Sequence, residues 1–276
     1  MRIAIMGETR FPVLPYGPGG LGRTTHEIAS GLMSLGHDVT LFALPESEFP
    51  KIEQAADPAL FDVFLDFSHE HDWQFENTLH LIGDRECPYL PPCAVVQSNY
   101  MQGFYPTAKV VPAGVPVDEI PFSENHGDYL VFAGANFAHK QPFMAKVVAQ
   151  KAGKELKMLG PDFTPVDEGE KLEIIGHALG LLCPYTIDAA PRLPLEAAAC
   201  GTPTLCLAGD GTKAHVLDSL TGFVCEDIDE MVKAVKLVGS LKRPKIRQWV
   251  EQNHNSKSTN REIEKFLLAV AGGEKW

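Results

Sequence analysis

Basic side chains are scarce in this sequence: 24 Lys and Arg stand against 36 Asp and Glu in 276 residues, a formal charge of −12. Nucleic-acid phosphates are gripped by basic faces, so the shortage counts against nucleic acid as a partner. Residues 1–115 carry 6 basic against 14 acidic side chains, a balance of −8 that makes this half a poor match for anionic lipid. There is no run of about 18 uncharged apolar residues, so no membrane-spanning helix is expected. The apolar opening Met1–Met6 is too short for a signal peptide and reads as a first strand. Cysteines are few and scattered, at 87, 93, 183, 200, 206 and 225, with no Cys-x-x-Cys pair. That argues against a zinc site or a disulfide frame and for buried thiols in a cytoplasmic protein, although Cys87 and Cys93 are near enough in sequence to bridge under oxidising conditions. No low-complexity segment or short-period repeat is present.

What is there is enough apolar sequence for two modest domains, 45% of the residues. The strand at Arg2–Met6 runs into a Pro- and Gly-rich loop from Gly7 to Gly22. From Thr24 the pattern turns helical, with Ile28, Leu32 and Leu35 on one face. Gly36-His37 stops that helix and Val39–Ala43 is the next strand. This strand–loop–helix–strand unit opens a doubly wound α/β domain. Further strands are expected at Phe61–Phe67, Thr78–Ile82 and Ala94–Gln97, before a linker around Pro112-Ala-Gly-Val-Pro116.

A second α/β unit begins with a strand at Tyr129–Ala133, a helix near Pro142 and a strand at Leu156–Leu159. A helix over Asp167–Leu179, a strand at Leu181–Cys183, a helix over Leu195–Cys200 and a strand at Pro203–Leu207 follow. Thr221-Gly-Phe-Val224 precedes an amphipathic helix from Ile228 to about Leu241. Thr259 and Glu262 have capping-box spacing and open a last helix carrying Ile263, Phe266 and Leu267 on one face. The prediction is an α/β protein of two Rossmann-like domains facing a cleft. They span residues 1–115 and 122–250, with a C-terminal helix at 255–276 packing back on the first domain.

Several residue groups carry candidate chemistry. Gly17-Pro-Gly-Gly-Leu-Gly22-Arg23-Thr24 nearly matches a phosphate loop, with Arg in place of Lys and Asp66 as the acidic strand residue that helps hold magnesium. Alternatively, Gly19 and Gly20 let backbone amides approach a ligand at a helix start. His69, His71 and Asp72 resemble metal ligands on paper, though no third partner beyond that loop is identifiable. His80, near a strand end, reads either as a functional side chain or as a core histidine. Lys140, between a strand end and a helix start, can neutralise a phosphate over that helix or be a surface lysine. In Leu193-Pro-Leu-Glu196-Ala-Ala-Ala-Cys-Gly-Thr-Pro203 an acid sits at the first turn of a short helix, with Asp188 eight positions before it. Such an acid either receives hydroxyl hydrogen bonds or sits on the positive end of the helix dipole.

Taken in order, Gly-Gly-Leu-Gly, Gly-His-Asp-Val-Thr-Leu-Phe, strand-Gly…Lys140, Asp188-x7-Glu196-Ala…Cys-Gly-Thr-Pro203 and Thr221-Gly-Phe223 resemble a retaining glycosyltransferase of the GT-B fold, family GT4 (glycosyl transferases group 1). The chain looks like a shortened, partly divergent member. The similarity runs from Arg2 to about Val235, and Asp188–Pro203 followed by Thr221-Gly-Phe223 is its most specific part. The resemblance implies a C-terminal domain that binds a nucleotide-diphosphate sugar, UDP-linked or GDP-linked, and an N-terminal domain that takes a small-molecule or saccharide acceptor. Glu196 would accept hydrogen bonds from the ribose and Asp188 would hold donor-sugar hydroxyls. Lys140 would neutralise the diphosphate, Gly19 and Gly20 would present amides near the leaving group, and Gly160 would lie against the base. His80 matches the histidine after a strand in the acceptor domain, and Leu193 belongs to the same donor loop as Arg192. No metal or cofactor is implied, because Lys140 and amides supply the charge compensation. The family usually has Arg where this chain has Ala135, and Arg192 is the nearest substitute. It also has Glu where Asp188 stands. A degenerate, non-catalytic sugar-nucleotide-binding protein is the alternative that these departures leave open.

Overall fold

The computed structural model describes residues 1–16, 19–53, 57–68, 75–83, 87, 91–189, 191–209 and 211–276. His69, His71 and Asp72 lie outside the described residues, as do Gly17 and Pro18 of the glycine loop. The chain divides into two compact units, Met1–Ala113 with Ser256–Trp276, and Gly114–Asn255.

In the first unit the described elements are β1 (Arg2–Met6), α1 (Gly20–Ser34), β2 (Asp38–Phe42), β3 (Ile52–Glu53), β4 (Val63–Asp66), β5 (Thr78–Ile82), β6 (Ala94–Val96), α2 (Asn99–Gln102) and β7 (Lys109–Val110). All strands are parallel, in the order β3-β2-β1-β4-β5-β6-β7. The order reverses between β1 and β4, the position at which open parallel sheets gather ligands. The strands are apolar on both faces, as a covered parallel sheet requires. One face packs Ile3, Ile5, Leu41, Leu65 and Leu81 against Ile28 and Leu32 of α1. The other carries Ala4, Met6, Phe42 and Phe64, with Phe61 and Phe75 laid over them.

The second unit contains β8 (Tyr129–Ala133), α3 (Pro142–Ala152), β9 (Glu155–Leu159), α4 (Glu168–Gly176), β10 (Gly180–Cys183), α5 (Leu193–Ala199), β11 (Thr204–Leu207), β12 (Gly222–Cys225), α6 (Ile228–Val238) and α7 (Arg243–Asn253). Its parallel sheet has the order β12-β11-β10-β8-β9, which reverses between β8 and β10. Leu130, Phe132, Leu181, Leu182 and Leu205 are buried throughout it. The final helix, α8 (Ser256–Ala271), belongs to the first unit and buries Ile263, Leu267 and Val270 in its core.

Three elements differ from the sequence reading. Helix α1 begins at Gly20, before Thr24, with Gly19 (φ 104°) as its cap and no side-chain cap bond. Helix α8 begins at Ser256, so Thr259 lies within the helix, where its hydroxyl donates to the Pro112 carbonyl (2.9 Å). Helix α7 is absent from the sequence reading altogether; it is strongly polar, and its buried apolar residues are Ile246 and Val250.

Candidate functional site

A parallel sheet gathers ligands at the carboxyl ends of its strands, where the order reverses. In the second unit that point is the gap between the loops after β8 and β10. The β8 loop turns at Gly134 (φ 148°), makes a single 3-10 turn at Ala138–Lys140 and enters α3 through Gln141, itself left-handed at φ 52°. Pro142 opens α3, where a missing N–H costs nothing. The β10 loop carries Tyr185 and docks on the first loop, the Thr186 amide donating to the His139 carbonyl (2.9 Å).

This docking brings Lys140 and Asp188 together. The ammonium donates to Asp188 Oδ2 and lies 4.3 Å from the centroid of the buried Tyr185 ring. Both charged side chains are partly open to solvent. Asp188 is also held through its backbone, its carbonyl accepting from the Gly211 amide at 2.8 Å. A Cβ on Gly211 would come within 2.3 Å of that oxygen, so glycine is what permits the approach. Gly160, at the end of β9, has φ 141°, and a Cβ there would stand 2.3 Å from the Gly134 carbonyl. It therefore packs the β9 loop directly on the β8 loop.

Glu196 lies one turn into α5 and is 1% exposed. Arg192 Nε donates to its Oε1 at 2.6 Å, and Lys171 Nζ on α4 to its Oε2 at 3.1 Å. Lys171 also reaches Glu168 on its own helix. Arg192 thus rests on Glu196 in this structure, and Leu193 is the first residue of α5. Sequence reading missed Lys171 and Tyr185. The Arg192–Glu196 spacing of four, a helix-neighbour spacing, was visible in the sequence; the pairing of Lys171 with Glu196, 25 residues apart, was not.

The remaining candidates belong to the first unit. Gly19 and Gly20 stand at the start of α1, and the Glu8 carboxylate lies beside that start, 3.8 Å from where a Cβ on Gly19 would stand and 3.7 Å from one on Gly22. Glu8 is 5% exposed, and burial pushes its carboxyl above the usual range, against the pull of Arg10 and the Gly22 amide. An acidic side chain therefore borders this helix start, where a phosphate loop would seat an anion. Thr24, placed where such a loop would hold magnesium, instead donates its hydroxyl to the Gly20 carbonyl (2.9 Å). Asp66 accepts from Ser68 N (2.8 Å) and Ser68 Oγ (2.6 Å), and its Oδ2 lies 3.1 Å from His80 Nδ1. Burial raises the Asp66 pKa, but the His80 and Ser68 hydrogen bonds outweigh it and hold the carboxyl below its usual range. These contacts count against the phosphate-loop alternative. His80 is 7% exposed and in register with Asp66 across β4 and β5.

Among the described residues, no group of three or more His, Cys, Asp and Glu side chains could hold a metal ion. No described helix is long and apolar enough to cross a membrane.

No family model matches the chain, and no curated protein sequence matches it. Solved structures do. AviGT4, a glycosyltransferase involved in avilamycin A biosynthesis, aligns over 100% of this chain and 99% of its own at a TM-score of 0.77 and 17% identity. Sucrose-phosphate synthase from Thermosynechococcus elongatus aligns over 99% and 100% at a TM-score of 0.79 and 13% identity. The chain has the GT-B fold. Anabaena HepE, solved in complex with UDP and glucose, shares this GT-B architecture over 98% of this chain and 100% of its own, at a TM-score of 0.71 and 11% identity.

Proposed function

We propose that the chain is a retaining glycosyltransferase that moves a sugar from a nucleotide-diphosphate sugar, UDP-linked, to a soluble acceptor. The observation that carries this reading is the convergence of Lys140 and Asp188 at the strand-order reversal of the second unit. An ammonium suits a diphosphate, and a carboxylate beside it suits sugar hydroxyls. The GT-B fold and the UDP and glucose bound by HepE support the same chemistry.

In this reading the acceptor hydroxyl attacks the anomeric carbon from the face the diphosphate leaves. The bond from that carbon to the leaving oxygen breaks, the oxygen keeps the electron pair and takes the acceptor's proton. A protein base is not needed. Lys140 stabilises the charge that grows on the diphosphate, and Asp188 orients the sugar. Glu196 holds the ribose. By the same resemblance the first unit receives the acceptor, and the mostly buried cysteine side chains suit a cytoplasmic setting. Turnover needs no metal, so chelators leave it unchanged.

Incubation with UDP-sugars tests the reading. Slow release of sugar from one of them is expected, lost in Glu196→Ala, with the α or β form of the donor retained in any transfer product. The absence of Arg at position 135 favours a second reading, a binder without turnover. UDP binding with no sugar release from any donor would establish that one.

A further inference from the structure

We propose that the first unit carries a second ligand site, a pocket at the amino ends of β4 and β5 that takes a small organic ammonium with a flat apolar body. The site is separate from the Lys140–Asp188 pair, which belongs to the second unit. It stands whether or not the nucleotide-sugar reading holds.

The pocket follows from how the first sheet is covered. A parallel sheet needs an apolar layer on each face. Helices α1 and α8 supply it on the face of Ile3, Ile5 and Leu65. On the face of Ala4, Met6, Phe42 and Phe64, the rings of Phe61 and Phe75 lie against the strands, and both come from the segments that lead into β4 and β5. Beside these rings an open pocket of about 440 Å³ remains, within the size range of small-molecule sites. Its apolar lining is Pro58, Phe61, Phe64 and Phe75. Asp62, Glu76 and Asn77 supply the polar part.

The walls are fixed by local bonds. Pro58–Leu60 forms a single 3-10 turn, capped by the Asp57 side chain, which accepts from the Ala59 amide (3.1 Å). The Phe61 amide donates back to the Pro58 carbonyl at 3.3 Å. The Thr78 hydroxyl donates to the Phe75 carbonyl (2.7 Å), and the Phe75 ring stacks on Phe64 at a centroid distance of 4.0 Å. Phe61 meets Phe64 edge-on at 5.8 Å. Phe64 is buried, whereas Phe61 and Phe75 are half-buried and offer ring surface to the pocket.

The polar lining decides the charge of the ligand. Among the described residues it holds two acids and no basic side chain. Asp62 is already paired: the Arg2 guanidinium donates to its Oδ1 and the Arg2 amide to its Oδ2, each at 2.7 Å. Glu76 is exposed and has no ion-pair partner among the described residues. An uncompensated carboxylate thus stands beside aromatic rings, whose faces carry partial negative charge and attract cations. An ammonium satisfies both features. An anion is repelled by both, and a neutral ring gains only the apolar contact.

Three probes that share one ring and differ in charge test the site: benzylammonium, benzyl alcohol and benzoate. Each is titrated into the full chain and followed by nuclear magnetic resonance at the side-chain amide of Asn77, which lines the pocket. Benzylammonium should bind at about 1 mM, benzyl alcohol about threefold more weakly, and benzoate not measurably. In Glu76→Gln, benzylammonium should fall to the level of benzyl alcohol. In Phe61→Ala, both should weaken by about fivefold. Equal affinity for all three probes, no shift at Asn77, or binding unchanged in both variants overturns the proposal. A dimer in sedimentation that Phe61→Ala separates would give the pocket to a second copy of the chain and overturn it as well. Glu76 lies at the surface, so its variant decides the charge preference even where Phe61→Ala fails to fold.

Discussion

At the scale of single residues, His215 is the group whose chemistry the fold constrains most. Its ring is buried, and neither nitrogen has a hydrogen-bond partner among the described residues. Burial, reinforced by His254 at a ring-centroid distance of 5.9 Å, lowers its pKa from 6.5 to about 3. The unfolded chain therefore binds a proton that the folded chain refuses. The stability this neutral ring allows is complete above pH 6.5 and is lost as pH falls toward about 3. Between pH 6.5 and 5 the loss is roughly 2 kcal/mol. Glu8, whose pKa is raised, acts in the opposite sense and becomes more favourable as pH falls. Urea unfolding at pH 7 and pH 5 separates them: His215→Leu should flatten the decline seen in the unaltered chain, and an equal decline in both would contradict the assignment.

At the scale of elements, α7 holds the second unit together by polar contacts that replace a large apolar face. Arg243 at its start is 4% exposed and donates to the Ser123 carbonyl (2.8 Å), the Ala178 carbonyl (3.0 Å), the Thr202 hydroxyl (2.6 Å) and the Gly176 carbonyl. Arg247, one turn on, donates to the carbonyls of Ile120, Ala199 and Val117. Burial lowers the Arg243 pKa to about 10, so it remains charged at neutral pH. Arg243→Met leaves several buried acceptors without a donor and should cost about 3–5 kcal/mol. The check is a lower denaturant midpoint at unchanged slope; an unchanged midpoint would mean that water replaces the guanidinium without loss.

The same helix shows where sequence reading stops. Strands β1, β4, β5, β8 and β10 are short apolar runs bounded by Gly, Pro or Asp, and such runs are legible by their periodicity. Helix α7 is legible by none, because its stabilising contacts run from arginines to carbonyls 48 to 130 residues away. The stretch between Gly160 and Asp167, too short for a full strand, retains one isolated bridge from Leu159 to Thr164. Start positions were misread where a polar residue had two uses: Thr259 has cap chemistry, yet its hydroxyl serves Pro112.

At the scale of the whole molecule, local patterns pointed to alternating strands and helices, and so to an α/β chain. They did not contain the strand order that places the reversal between β8 and β10, because that order is a matter of long-range pairing. Lys140 and Asp188, 48 residues apart, could be joined from the sequence only through resemblance; their contact is a product of the reversal. The contact of Lys171 with Glu196 was likewise hidden, since it depends on α4 packing against α5.

The central claim is that the second unit binds a nucleoside diphosphate through Lys140. Thermal unfolding with and without UDP tests it, because a ligand that favours the folded chain raises its melting temperature. The unaltered chain should melt higher in UDP, and Lys140→Met should show little or no rise. No rise in the unaltered chain, or an equal rise in both, would contradict the account.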